Sequence, residues 1–259
     1  MKKLSLFLYG LISYLLFMGT FVYLIGFLAD VIVPKSIDRV SSLPLMPSLL
    51  IDTGLILLFG LQHSLMARSG FKSWLVKHIP KAAERSTYVL ASTLALILLI
   101  VLWQPIPAII LDFHSSLGKG MMYGLYGAGI LGILITSFQL NHFDLFGVRQ
   151  VYYYLLDREY SHPRFVRSFL YRWVRNPMHT ATITFFLATP RLTLGHLILS
   201  IGMTIYTLIG IHYEERDLAH ALGESFKAYR RRTPSLLPNP FPPRQQKESR
   251  SISPFNEQL

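Results

Sequence analysis

Two polar runs interrupt a chain built largely from apolar residues. In Val174-Arg175-Asn176-Pro177-Met178-His179-Thr180-Ala181, a cation, an amide and a proline stand directly before the apolar run TITFFLATP; in IHYEERDL, Glu214 and Glu215 follow another such run. A guanidinium suits two-point capture of a carboxylate. Neighbouring carboxylates accept hydrogen bonds from an ammonium group or from ribose hydroxyls. Arg175 with Glu214 and Glu215 therefore makes a sensible receptor for a zwitterionic nucleoside such as S-adenosyl-L-methionine. Paired acids ahead of a basic amphipathic segment also fit a solvated helix start, so the residue chemistry leaves both readings open.

Other polar residues cluster at the ends of apolar runs: Gln62 and His63 in LQHSLMAR, and Gln139, Asn141, His142 and Asp144 in SFQLNHFDLFG. A polar group buried without a partner costs about 1–3 kcal/mol, and an ionised one more. Four such groups at one side of a membrane bundle point to one shared polar pocket, with plain interfacial anchoring as the alternative. Asp52 reads as a structural partner. No H-E-x-x-H or comparable ligand pair occurs, so no metal is expected. The chain has no cysteine and no G-x-S-x-G elbow, which leaves the nucleophilic hydrolase routes thin. Gly127-Ala128-Gly129-Ile130-Leu131-Gly132 has the spacing of a dinucleotide fingerprint but lies inside an apolar run, where that motif has no meaning. Gly120, Gly124, Ala128 and Gly132 read instead as a stripe for close helix packing.

The elements that must position these residues are membrane helices. The 259 residues are 51% hydrophobic and only 15% charged, which excludes an ordinary soluble enzyme. Residues 4–29, 86–111 and 120–143 carry no charge at all. Each can cross a hydrocarbon core of about 30 Å, which takes roughly 20 helical residues. The expected spans run from Leu4 to Val33, Pro47 to Ala67, Ser86 to Trp103 and Gly120 to Leu140. Met178 to Thr189 and Leu192 to Tyr213 then flank Pro190-Arg191 as a hairpin, the first of them only about 18 Å long. The fold class is all-α: a polytopic membrane helix bundle of five to six membrane segments, with a C-terminal helical hairpin and cytoplasmic amphipathic helices.

Orientation follows from the positive residues, which concentrate in cytoplasmic loops. Lys2 and Lys3, the Arg68–Arg85 loop, the Arg149–Arg175 loop and the tail from Arg216 are basic, whereas the loops after the first and third spans are nearly free of Lys and Arg. Both termini are then cytoplasmic. The net charge of +11 is explained by this topology, and no nucleic-acid partner is expected. RFVRSFLYRWVR and EERDLAHALGESFKAYRRR read as amphipathic helices lying on a leaflet, the second beginning after Tyr213 with Leu218, Ala221, Leu222, Phe226 and Tyr229 as its apolar stripe. Residues 1–238 form one integral membrane domain, and residues 239–259 a disordered cytoplasmic tail.

VRNPMHTA, followed some 35 residues later by YEERDLAHALGESFKAYRRRTPSLLP, resembles the carboxy-terminal signature of the isoprenylcysteine carboxyl methyltransferase and phospholipid methyltransferase group. LQHSLMAR, PKAAERSTYVLASTLALILL, LNHFDLFGVRQV and FFLATPRLTLGHLILSIGMTIYTLIGIHYEERDL narrow the resemblance to the branch of bacterial membrane enzymes that convert methanethiol to dimethyl sulfide. It covers roughly residues 50–238. The resemblance implies an S-adenosyl-L-methionine-dependent S-methyltransferase in a bacterial inner membrane. Arg175, Asn176 and Pro177 stand at the Arg-His/Asn-Pro position, and Glu214 and Glu215 are the paired acids. The usual pattern continues with a tyrosine and then a glycine; here those positions hold His179 and Ala181, so His179 joins the cofactor-binding set.

A free thiol near pKa 8.5 or above leaves only a few per cent thiolate at neutral pH, so a base should help. His63 and His142 are the candidates, with Arg68 as an electrostatic helper and Gln62, Gln139 and Asn141 on the substrate side. The partners implied are a small thiol and membrane lipid; no feature sets an oligomeric state. Two alternatives stay open: methylation of a lipid or isoprenoid-linked thiol, which needs a wide lateral opening, and a non-enzymatic transporter or scaffold, which binds no S-adenosyl-L-methionine.

Overall fold

Inside hydrocarbon every backbone polar group must find its partner within the chain, so long apolar runs form helices. The computed structural model describes residues 2–39, 43–161 and 169–238, with the backbone alone at Phe169. Five helices are long and apolar enough to cross a membrane: α1 (Lys2–Ala29), α2 (Leu45–Ala67), α4 (Glu84–Leu102), α5 (Ser116–Gln139) and α9 (Leu194–Leu222). Between and after them lie α3 (Ser69–Leu75), α6 (His142–Leu145), α7 (Val148–Leu155), α8 (Pro177–Leu187) and α10 (Glu224–Arg232). The protein is an all-α integral membrane bundle.

Several boundaries differ from the sequence reading. The first helix stops at Ala29 rather than Val33, because Asp30 and Ile32 adopt left-handed backbone (φ 55° and 67°) and Asp30 accepts the Ser36 hydroxyl. No separate helix starts after Tyr213. Nothing in YEERDLAHAL breaks a helix, so α9 runs through both glutamates to Leu222 and ends only at Gly223, with φ 55°. The apolar stripe is thereby divided between the end of α9 and α10. Of the other expected surface helix, residues 162–168 lie outside the described residues, and Phe169–Arg172 forms a single 3-10 turn. The expected disordered tail, 239–259, also lies outside them.

α8 is about 17 Å long and cannot span alone. It forms the short arm of a hairpin with α9, and a two-stranded antiparallel pair unforeseen from sequence braces the turn: β1 (Ile109–Asp112), from the α4–α5 connection, against β2 (Arg191–Thr193). The Phe186 carbonyl, left without a helical partner near the end of α8, accepts from Ser200 Oγ at 2.6 Å and meets His196 Nε2 at 2.9 Å.

α4 packs between α1 and α2, α9 between α2 and α8, and α5 lies along α8, with α7 against α1. Phe27, Leu28, Leu99, Trp103, Phe185 and Leu199 form the driest part of the core. α5 and α8 approach closely at Gly129, where an added Cβ would sit 2.8 Å from the Phe185 backbone nitrogen, and at Gly132, where it would sit 2.7 Å from Ala181 Cβ. The expected small-residue stripe is thus only partly used, since Gly120 and Gly124 have nothing within 4 Å.

Most of the lysines and arginines lie at one of the two ends. One end gathers the α1 N-terminus, the α2–α4 connection, α6, α7, the start of α8, the end of α9 and α10, held by contacts such as Lys3 to Asp157 and Arg85 Nε to the Leu145 carbonyl. The opposite end holds residues 30–39, the β pair and the Trp103 indole, which donates to the Ile37 carbonyl.

Candidate active site

Pro177 occupies the first position of α8, where its missing N–H would be unpaired in any case. This fixes where the chain turns into the bundle and places Arg175 and Asn176 just ahead of the helix. The Arg175 guanidinium closes on Glu215 at two points, Nε to Oε1 at 3.0 Å and Nη2 to Oε2 at 3.1 Å. Its Nη1 donates to the backbone carbonyls of Arg230 and Thr233. Asn176 Nδ2 donates to Glu215 Oε1 at 2.9 Å and to Ser235 Oγ at 3.1 Å. The backbone continues the seam: Arg175 N–H donates to Pro234, Asn176 N–H to Ser235, and Thr180 Oγ1 to the Leu236 carbonyl. These contacts fasten the segment after α10 across the start of α8. The guanidinium that sequence reasoning aims at a cofactor carboxylate is directed at Glu215 and at carbonyls of its own chain.

Glu214 is placed differently. It remains 56% exposed, with Oε2 3.8 Å from His179 Nε2. Burial lowers the His179 pKa from its ordinary value, and the Glu214 charge opposes that shift. Ala181, in place of the pattern's glycine, is buried against Gly132, whose missing Cβ leaves it room.

His63 is held where α2 meets α4 and α9. Its Nδ1 lies 3.1 Å from Ser92 Oγ and its Nε2 bonds to the Tyr88 hydroxyl. The ring stacks on Phe59 at 5.5 Å and meets the Tyr206 ring edge-on at 5.8 Å. Arg68 lies 3.9 Å over the ring of Tyr213, the neighbour of Glu214. Gln62 donates to Met66 Sδ while its Oε1 is buried without a hydrogen-bond partner.

His142 belongs to another set. Its Nδ1 meets Ser137 Oγ and its Nε2 the Tyr14 hydroxyl, both at 2.9 Å, and its ring stacks on Phe138 at 4.5 Å. Burial lowers its pKa from the ordinary value. Asn141, with φ 67°, makes the turn before it, and Gln139 Oε1 is also buried without a partner. All the sequence-derived residues lie at the same end of the bundle. Among the described residues their side-chain contacts fall into separate groups, around Arg175–Glu215, His179–Glu214, Arg68–Tyr213, His63 and His142, rather than one continuous network.

Tyr88, Ser92, Tyr206, Tyr14, Ser137 and Ser235 are the partners that sequence reasoning missed. Tyr88 and Ser92 carried a signal, being polar residues one helical turn apart in an apolar span. Ser235 carried none, since its contact with Asn176 crosses 59 residues.

A spanning bundle that gathers buried polar side chains at one end, around an Arg-Asn-Pro turn and a glutamate pair, defines an integral membrane protein with a polar site at one membrane face. The chain belongs to the methanethiol S-methyltransferase family. It is 44% identical to methanethiol S-methyltransferase of Crocosphaera subtropica, over 89% of this chain and 91% of that one. It is 42% identical to the Mycobacterium tuberculosis protein of the same name, over 93% and 98%, and 43% identical to one from a Pseudomonas strain, over 91% of each. No family model and no solved structure matches the chain.

Proposed function

We propose that this protein transfers a methyl group from S-adenosyl-L-methionine to methanethiol, giving dimethyl sulfide, at a site facing the cytoplasm. Three relatives spanning most of the chain are named for methanethiol methylation. The observation that carries the site assignment is the division within the glutamate pair: Glu215 is closed on Arg175, while Glu214 stays half exposed beside His179. The residues present fit the donor. Glu214, half exposed, suits an ammonium group, ribose hydroxyls or an exocyclic amine, while the unpartnered Oε1 atoms of Gln62 and Gln139 stay on the substrate side. Arg68, exposed beside Tyr213, supplies a cation for a carboxylate. Arg175, Asn176, Pro177 and Glu215 form the frame behind these contacts.

S-adenosyl-L-methionine, when bound, supplies a sulfonium methyl group already activated for transfer. The chain's own work is then to hold two reactants in line, exclude water and accept the thiol proton. His63 and His142 are the candidates for the last task. Methanethiol is small and apolar enough to arrive through the bilayer, and the polar donor enters from the cytoplasm. Concentration of Lys and Arg at the site end supports cytoplasmic termini and insertion in a bacterial inner membrane.

The test compares dimethyl sulfide production from methanethiol and S-adenosyl-L-methionine by membranes carrying wild type or Glu214→Gln. A large loss in the variant is expected. Equal production would remove Glu214 from the donor site.

A further inference from the structure

The His63 imidazole is engaged at both nitrogens, and the two partners fix its tautomer. A phenol gives its proton to an imidazole nitrogen more readily than an aliphatic hydroxyl does, so Nε2 accepts from Tyr88 and the ring proton sits on Nδ1, donated to Ser92. The Tyr88 oxygen is also within hydrogen-bond reach of Ser92, which uses one of its lone pairs and leaves the other for a further donor. Phe59 and Tyr206 pack on the imidazole, and the Arg85 guanidinium lies 4.9 Å over the Tyr88 ring, so neither ring is free to swing away. Three helices contribute to this chain of groups: α2 gives His63, α4 gives Tyr88 and Ser92, and α9 gives Tyr206. An ionisable side chain held inside a membrane bundle is costly and marks a candidate functional site.

We propose that Tyr88 is the group that receives the substrate thiol's proton, with His63 behind it as the final acceptor and Ser92 as the positioning residue that sets the His63 tautomer. This deepens the methanethiol methylation proposed above and rests on it. The thiol S–H bond breaks as its proton moves to Tyr88 Oη, while the phenolic proton moves to His63 Nε2. The sulfur electron pair released forms the new S–C bond, and the pair of the broken sulfonium C–S bond stays on the donor's sulfur. One proton remains on His63 and returns to water after the product leaves. A relay suits this reaction because the thiol is mostly protonated at neutral pH and a phenol alone is too weak a base.

The test is Tyr88→Phe, which removes one oxygen and keeps the ring. At pH 7 turnover should fall about 100-fold or more, the usual scale for loss of a general base, with donor affinity by calorimetry unchanged. The variant's rate should then climb roughly tenfold per pH unit toward the thiol's own pKa, because preformed thiolate needs no base, while wild type varies little. Ser92→Ala should lose less, about threefold to tenfold, with a shifted pH profile. Independently of turnover, nitrogen NMR of histidine-labelled protein should show His63 Nε2 as a hydrogen-bonded acceptor in wild type and a free one in Tyr88→Phe.

A Tyr88→Phe protein as active as wild type at pH 7, a loss independent of pH, or a parallel loss of donor affinity would each overturn the relay, the last by marking Tyr88 as structural. So would an unchanged His63 nitrogen signal. Wild type that makes no dimethyl sulfide would overturn the methylation reading and the relay together; active wild type beside any of the preceding results would overturn the relay alone.

Discussion

Removing one partner of a nearly buried ion pair leaves the other charge uncompensated, at a cost of about 3 kcal/mol or more. The Arg175 and Glu215 side chains are 11% and 10% exposed, and they also hold Asn176 and the carbonyls of Arg230 and Thr233. Arg175→Ala and Glu215→Ala should each lower the thermal midpoint of the detergent-solubilised protein by several degrees and speed proteolysis after α10. Glu214→Gln, at a half-exposed position, should leave that midpoint unchanged while weakening S-adenosyl-L-methionine binding about tenfold, the scale of one charge-assisted hydrogen bond. Equal destabilisation at all three positions would erase the distinction between frame and contact. His142 adds a dependence on pH. Burial puts its folded pKa below the ordinary 6.5, so the unfolded chain takes up this proton first as pH falls. Its contribution is therefore complete above about pH 6.5 and is lost as pH falls through the folded value. Unfolding followed from pH 7.5 to 5 should show a decline in stability that His142→Gln reduces; an unchanged decline would clear His142 of the effect. The polar runs that build the site were legible because polar residues beside apolar runs demand a reason. Their pairing was not, because Arg175 and Glu215 meet across 40 residues and nothing local announces the contact.

At the scale of helices, charge-free length made the spans visible, since hydrocarbon thickness sets a length and excludes charge. The full extent of α9 escaped notice because Glu214-Glu215-Arg216 reads as an exit into water, yet nothing there interrupts helical backbone. The β1–β2 pair was invisible, being three or four residues a side with no alternation to detect. The glycine stripe was legible in kind but wrong in register. A spacing of four residues drifts about 40° per step around a helix of 3.6 residues per turn, so Gly120 and Gly124 rotate away from the face that Gly132 uses. Gly129, outside that stripe, shares the contact with Gly132. Gly129→Ala should destabilise the bundle by about 1–3 kcal/mol, because its Cβ would press on backbone of α8 that cannot yield as a side chain does. Gly124→Ala, with open space around it, is the control and should be neutral or slightly stabilising. Identical melting of the two variants would show that the α5–α8 approach is looser than the structure has it.

For the whole molecule, the decisive asymmetry is that basic residues gather at the end that also carries the site. Lys77 in the α2–α4 connection belongs to that end, and Lys119 in the first turn of α5 belongs to the other. Both are exposed, and the chain contains no cysteine, so a single cysteine placed at either position is the only thiol in the protein. With the site facing the cytoplasm, a membrane-impermeant maleimide added to intact spheroplasts should label Lys119→Cys and spare Lys77→Cys until the membrane is opened. The reverse pattern would place the Arg175–Glu215 frame and Glu214 outside, away from the cytoplasmic supply of the donor. Because the positive-inside rule acts on short loops near span ends, the orientation should also respond to charge there. Neutralising Lys72, Lys77 and Lys81 together should raise the fraction of inverted molecules, read as new labelling of a cysteine at position 77 in unopened spheroplasts. No change would mean that Lys2, Lys3 and the Arg149–Arg175 region hold the topology without that loop.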